Sequence, residues 1–272
     1  MTLASCDSRK TAGENPFFTE WDTPHGVPPF DKILPEHFMP AFERGMSLHE
    51  AEIDAITSNK DEATFENTIL AYDNAGQMLA QTELVFGMLC AAETNDRMQA
   101  LQEQAMPLLA AHRDKIRLDD KLFVRVKEVY DRRAALGLDA EQMRLLQKTY
   151  DSFVRAGALL DAEQKARLKE INGQLSLTAV KFGNNILAEN NNFVLELRSD
   201  ELDGLPAGIR DAAREKAQQM GKGDKWVFTL HKPSLIPLLT YSTRRDLREK
   251  IYKAYLNRCN NGDEYDNKQL IN

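Results

Sequence analysis

Residues 161–189 read DAEQKARLKEINGQLSLTAVKFGNNILAE, from Asp161 to Glu189, and the fold class turns on them. Leu168, Ile171, Leu175, Phe182 and Ile186 recur near a heptad, interrupted at Thr178. The spacing predicts one long helix in an antiparallel bundle, in preference to a coiled-coil dimer. Its start carries a signal of its own. Asp161 can accept from the free amides of a first turn, and Gln164 can reach back to the cap, as in a capping box. The same four residues, Asp139-Ala140-Glu141-Gln142, open the preceding helix, and a leucine stands before each (Leu138, Leu160). The residues after the two openings differ, so they are not an internal repeat.

Upstream, the pattern stays helical. Pro35 suits a first turn, and apolar residues then recur at helical intervals to Ser58. A broad apolar stripe predicts a second helix over Phe65–Cys90. A third covers about Asn95–Lys115, with a kink expected at Pro107. A fourth covers about Asp120–Leu136 and ends at Gly137. Before all of these, residues 15–34 are dense in proline and aromatics (Pro16, Phe17, Phe18, Trp21, Pro24, Pro28, Pro29, Phe30). Such density excludes a regular helix and predicts an extended arm packed on the body.

Downstream, Asn190-Asn191-Asn192 is expected to break the long helix. Phe193-Val194-Leu195-Glu196-Leu197 alternates and reads as a strand, as does Trp226-Val227-Phe228-Thr229-Leu230. A short helix over Arg210–Met220 and a turn at Gly221-Lys222-Gly223-Asp224 separate them. Pro233 and Pro237 predict a bend, and a last helix over Ser242–Cys259 buries Leu247, Ile251 and Tyr255. Residues 267–272 look like the opening of another helix, as though the polypeptide ran on. The fold class is therefore mainly α: a multi-helix lobe with a small two-strand β element near 192–230. The expected organisation is a tether over 1–14, the arm over 15–34, the helical lobe over 35–189 and a strand–helix–strand–helix segment over 190–272.

Composition narrows the function. Asp and Glu number 42 against 35 Lys and Arg, so no basic surplus invites nucleic acid. The densest basic run, Arg244, Arg245, Arg248 and Lys250, alternates with Asp246 and Glu249 and reads as a solvated helix face. The three cysteines, Cys6, Cys90 and Cys259, share no metal or redox spacing. Cys90 reads as a buried small hydrophobe. Leu3-Ala4-Ser5-Cys6 resembles a bacterial lipobox followed by a polar tether, without the charged start and apolar run that should precede it. Cys6 is thus the expected lipidation site and membrane tether, an accidental match being the other reading. The expected location is periplasmic or membrane-anchored, with cytoplasmic as the alternative.

No chemistry-bearing motif stands out. His25, His37, His49, His112 and His231 include no pair three to five residues apart, so no two share a helix face for one metal. His37 and His112 read as helix or core residues. His231, between a strand and a proline, sits in a loop without a sequence partner. Gly221-Lys222-Gly223 lacks phosphate-loop spacing, and the acidic runs 200–204 and 263–267 read as turns and caps. Catalytic and metal residues are accordingly none.

Several ordered segments resemble one family. Pro28-Pro29-Phe30-Asp31-Lys32-Ile33 and His37-Phe38-Met39-Pro40-Ala41-Phe42 resemble the opening of M3 zinc oligopeptidases. Thr64-Phe65-Glu66-Asn67-Thr68-Ile69 is the most specific match. Leu122-Phe123-Val124-Arg125-Val126, Phe153-Val154-Arg155-Ala156-Gly157-Ala158, Leu202-Asp203-Gly204-Leu205-Pro206, Trp226–Leu230 and Arg245-Asp246-Leu247-Arg248-Glu249 come next, in the family's order. The Val154–Gly157 segment and the start at Asn15 are similar to the peptidyl-dipeptidase branch. The resemblance implies the amino-terminal, channel-wall lobe of a zinc metallopeptidase that releases dipeptides from the carboxyl ends of short unstructured peptides. In that family a His-Glu-x-x-His helix and a further glutamate hold zinc, and the motif's glutamate activates the metal-bound water. No such motif occurs here, so the resemblance implies zinc in the full-length protein, none in this piece, and a missing carboxyl-terminal catalytic lobe as partner. The piece alone is expected to be inactive. The alternative from another class is a stand-alone, lipid-anchored helical binding or scaffold protein.

Overall fold

The computed structural model describes residues 14–271, and Cys6 lies outside them. The chain divides into two units between Leu177 and Thr178, inside one long helix.

The first unit begins with the arm, whose prolines open three single 3-10 turns, Pro16–Phe18, Pro24–Gly26 and Pro35–His37. Proline's fixed φ and absent N–H suit a first position. Asn15 pins the arm to the body, accepting from the Phe17 amide (3.1 Å) and donating to the His37 carbonyl (2.8 Å). Phe17 is buried against Phe38, their rings 5.3 Å apart. Helix α1 (Phe38–Ser58) then carries Phe38 and Phe42 into a core shared with Phe86.

The helix expected over Phe65–Cys90 is broken in two. Phe65–Leu70 forms a wide π-helical turn that runs into α2 (Ala71–Asp73), and α3 (Gln77–Ala92) restarts after Gly76. Gly76 has φ +75°, a left-handed conformation that glycine adopts without the Cβ penalty. The apolar stripe divides at the break between two cores, Phe65 and Ile69 packing in one and Leu79, Val85 and Phe86 in the other. Helix α4 (Asp96–Arg117) runs through Pro107. Helix α5 (Asp120–Asp131) ends in a 3-10 turn before Gly137, and α6 (Ala140–Arg155) comes next. Both capping boxes form: Gln142 N–H meets Asp139 at 2.9 Å, and Gln164 N–H meets Asp161 at 2.8 Å. Cys90 is half-buried rather than buried, because it lies in the last turn of α3.

Three of the family-like segments meet in one core. Phe65 and Ile69, Leu122, Phe123 and Val126, and Phe153 and Ala158 pack together. Phe153 is fully buried, 5.2 Å from the Tyr72 ring and 6.1 Å from Phe123. Thr64 caps the π turn and Asn67 closes the box (3.1 and 2.8 Å). Arg125, 9% exposed, reaches the same loop. Its guanidinium donates to the carbonyls of Asn59 (2.9 Å) and Asp61 (3.2 Å) and to Asn67 Oδ1 (3.1 Å).

Helix α7 (Ala162–Asn192) is continuous through the three asparagines, which read as a breaker in the sequence. Its stripe is less covered than a bundle helix requires: Leu175 is 58% and Phe182 36% exposed, and Leu177, outside the stripe, is 50% exposed. Lys165 is buried near its start, paired with Asp120.

In the second unit, strands β1 (Leu195–Leu197) and β2 (Trp226–Phe228) pair antiparallel, with Leu195 opposite Phe228 and Leu197 opposite Trp226. Helix α8 (Ala207–Gln219) packs on β2. In place of a bend at Pro233 and Pro237 there is a helix, α9 (Lys232–Tyr241). Pro233 sits in its first turn, where the missing N–H costs nothing, and Pro237 removes one later bond. Helix α10 (Arg245–Leu256) buries Leu247 and Ile251 and leaves Tyr255 half-buried; α11 (Lys268–Ile271) is a single turn. Gly204 has φ +82°, and a Cβ there would overlap the Tyr241 carbonyl oxygen. Gly204→Ala is expected to destabilise this unit by about 2–3 kcal/mol, read from denaturant unfolding. No helix of the described residues is long and apolar enough to cross a membrane.

Candidate functional site

The fold brings together two histidines that lie 63 residues apart. His49 leaves α1 and His112 leaves α4, and His49 Nδ1 lies 3.0 Å from His112 Nε2. His112 is 5% exposed, on the apolar face that carries Leu109 and Ile116. Its Nδ1 is buried without a hydrogen bond and faces Glu50 Oε1 at 3.5 Å. Glu50 also meets Lys115 Nζ at 2.7 Å, and that lysine holds the carboxyl below its ordinary value. Beside them, Glu52 accepts from the Gly76 amide at 2.6 Å. Burial lowers the proton affinity of both imidazoles, and the neighbouring His112 ring lowers that of His49 further. The expectation that His112 is a core residue holds. Its partner is invisible in the sequence, because no spacing links α1 to α4.

The remaining histidines do not cluster with this pair. His25 lies in an exposed turn, and His37 Nδ1 accepts from the Leu34 amide at 3.1 Å. His231 sits at the N-cap position of α9 without a capping side-chain bond and stands 3.2 Å from Thr229 Oγ1. It edges a groove of about 510 Å3 whose floor includes Ile209, Ala213 and Phe228 and whose rim includes Lys216, His231 and Ser234. An apolar floor with a few polar rim groups suits an apolar side chain carried on a hydrogen-bonding backbone.

The acidic runs serve the backbone. Glu201 accepts from the Arg198 amide (2.8 Å), Asp203 from the Thr243 hydroxyl (2.5 Å), and Asp266 from the Gly262 and Lys268 amides (2.7 and 2.8 Å). Arg244 pairs with Asp246 at 2.8 Å, a local helix-end ion pair. Burial pushes the Cys90 and Cys259 thiols up to about 11. Neither is a thiolate nucleophile at neutral pH. Both are expected to alkylate with iodoacetamide at pH 7.5 at least about tenfold more slowly than a free cysteine of pKa about 8.5, measured by mass spectrometry. Among the described residues, no three His, Cys, Asp or Glu side chains converge to hold a metal ion. The zinc that the family resemblance implies has no ligand set among these residues.

The chain is 36% identical over 258 residues to the dipeptidyl carboxypeptidase of Escherichia coli, a match that covers 94% of this chain and 38% of that protein. Along nearly its whole length it is similar to M3 oligopeptidases. Oligopeptidase A of Escherichia coli is 25% identical over 254 residues, or 92% of this chain and 37% of the relative. A thimet-like oligopeptidase of Dictyostelium discoideum is 23% identical over 228 residues, or 82% and 32%. The chain thus spans little more than a third of the curated relatives it matches, as an amino-terminal portion. No protein-family profile matches it. The M3 segments are structural in this chain: they build the cores around Phe153 and Ile251 and the Arg125 loop clamp.

Proposed function

We propose that this chain is the channel-wall lobe of an M3 zinc metallopeptidase that releases dipeptides from the carboxyl ends of short, unstructured peptides. The observation that carries the reading is the 36% identity to a dipeptidyl carboxypeptidase along 94% of the chain, against 25% to oligopeptidase A. Chemistry would come from the polypeptide beyond this region, which is where the zinc ligands of such an enzyme would lie. The lobe's own contribution is steric, admitting extended peptides and excluding folded ones. The uncovered apolar residues of α7, Leu175 and Leu177, and of α10, Tyr252 and Leu256, are then surfaces for that remaining polypeptide. The groove beside His231 is a contact for the peptide. In the complete enzyme, Lys216→Ala with His231→Ala is expected to raise KM by about threefold to tenfold at constant kcat, the signature of lost uniform binding. An unchanged KM would remove the groove from the path. An acyl chain on Cys6 would hold the enzyme at a membrane surface in the periplasm; intact-mass measurement of the native protein tests it.

A further inference from the structure

The buried imidazole pair has a property that neither ring has alone. Two neutral rings joined by one N–H···N bond have one donor and one acceptor at the contact. Glu50 selects which is which. Its carboxylate lies 3.5 Å from His112 Nδ1 and favours a proton there. His112 Nε2 then carries a lone pair and accepts from His49 Nδ1–H, across 3.0 Å. The free lone pair of the set is on His49 Nε2, the ring that is only partly buried. A first added proton goes to that nitrogen and leaves the N–H···N bond intact. A second would have to enter at His112 Nε2, and two N–H groups would then face each other across 3.0 Å in a buried contact.

We propose that His49 and His112 form a proton-operated latch between α1 and α4, closed while the pair carries at most one added proton and opened by the second. The groups that face the pair fix its set point. From α1, Glu50 and Glu52 favour protonation; from α4, Arg113 and Lys115 oppose it, and so does burial. Arg113 is itself paired with Glu83 of α3 at 3.4 Å, and Lys115 with Glu50. Gly76 lies close against the His49 ring: a Cβ there would stand 2.9 Å from His49 Nδ1. The folded rings hold protons less readily than ordinary imidazoles, whose pKa is 6.5. The pair's stabilisation is therefore complete above that pH and is lost as the pH falls below it. The open contact takes up one proton more than the closed one, so opening follows proton concentration in first order.

The test is amide hydrogen exchange of the chain, together with an NMR titration of its imidazole nitrogens, between pH 7.5 and 5. Protection factors of α1 amides near His49 and α4 amides near His112 are expected to fall about tenfold per pH unit at the acid end. His49 Nε2 should take up its proton before His112 Nε2 does. His112→Gln keeps a donor and an acceptor without titrating, and should make the protection flat at the acid end, where His49 already carries its proton in the closed contact. Rings that titrate independently near the ordinary imidazole value, or an acid-end slope that survives in His112→Gln, would overturn the latch. Should that variant not fold, the wild-type slope and the order of protonation decide alone.

Discussion

Phe153→Ala is expected to destabilise the amino-terminal unit by about 3–5 kcal/mol, the range for truncating a buried phenylalanine where the surroundings cannot collapse. Phe153 has no exposed surface, and its ring is held by Tyr72 and Phe123 from two other elements. Phe123 is itself fixed from behind. Phe123 is stacked on Tyr150 at 5.9 Å, and Tyr150 on Tyr130 at 3.8 Å with nearly parallel rings. Relaxation into the void would have to move α5, α6 and the π turn together. Phe153→Leu fills most of the volume and should recover more than half of the loss. Equilibrium urea unfolding of the three proteins measures both. A loss under about 1 kcal/mol for the alanine variant would mean that this core is not where the three segments are joined.

Arg125→Met is the second large effect, at about 3–4 kcal/mol. The substitution keeps the apolar stem but takes the guanidinium from the Asn59 and Asp61 carbonyls and from Asn67 Oδ1, which keeps the Thr64 amide and the Thr68 hydroxyl as donors. Each partly buried acceptor left unmade costs about 1 kcal/mol or more. Arg125 has no carboxylate partner in these contacts, so its role is geometric: one planar fork ties the loop after α1 to the π turn. Arg125→Lys keeps the charge but not the fork, and should lose nearly as much as the methionine variant. Hydrogen exchange should localise the loss to residues 59–67. A loss spread evenly over the unit, or lysine behaving as wild type, would refute the clamp.

How far the sequence reveals this molecule depends on the range of the interaction. Local chemistry is legible. Asp139 with Gln142 and Asp161 with Gln164 announce two helix starts and both boxes form, because cap and partner are three residues apart. The two strands read correctly from alternation at Leu195–Leu197 and Trp226–Phe228. The break at Gly76 is hidden, because an apolar stripe looks the same whether one helix or two carry it. The helix over Pro233–Pro237 is hidden for the opposite reason. Two prolines argue for a bend, yet one falls in the first turn, and Leu235 and Leu238, both buried, hold the rest. Arg125 and His112 lie on predicted helices, but what each touches is decided by packing between segments that lie 58 and 63 residues apart. The same limit hides the latch. A histidine on an apolar face is an ordinary core residue until the element opposite it is known.

What the complete polypeptide does with this lobe can be measured directly. Dipeptide release from an amino-blocked peptide would be followed with the complete polypeptide that carries this region, with and without a zinc chelator, beside the 272-residue chain alone. A channel-wall lobe of a zinc peptidase requires chelator-sensitive release of carboxyl-terminal dipeptides by the complete protein and none by the chain. Release by the isolated chain, or none from a folded, zinc-loaded complete protein, would contradict that role.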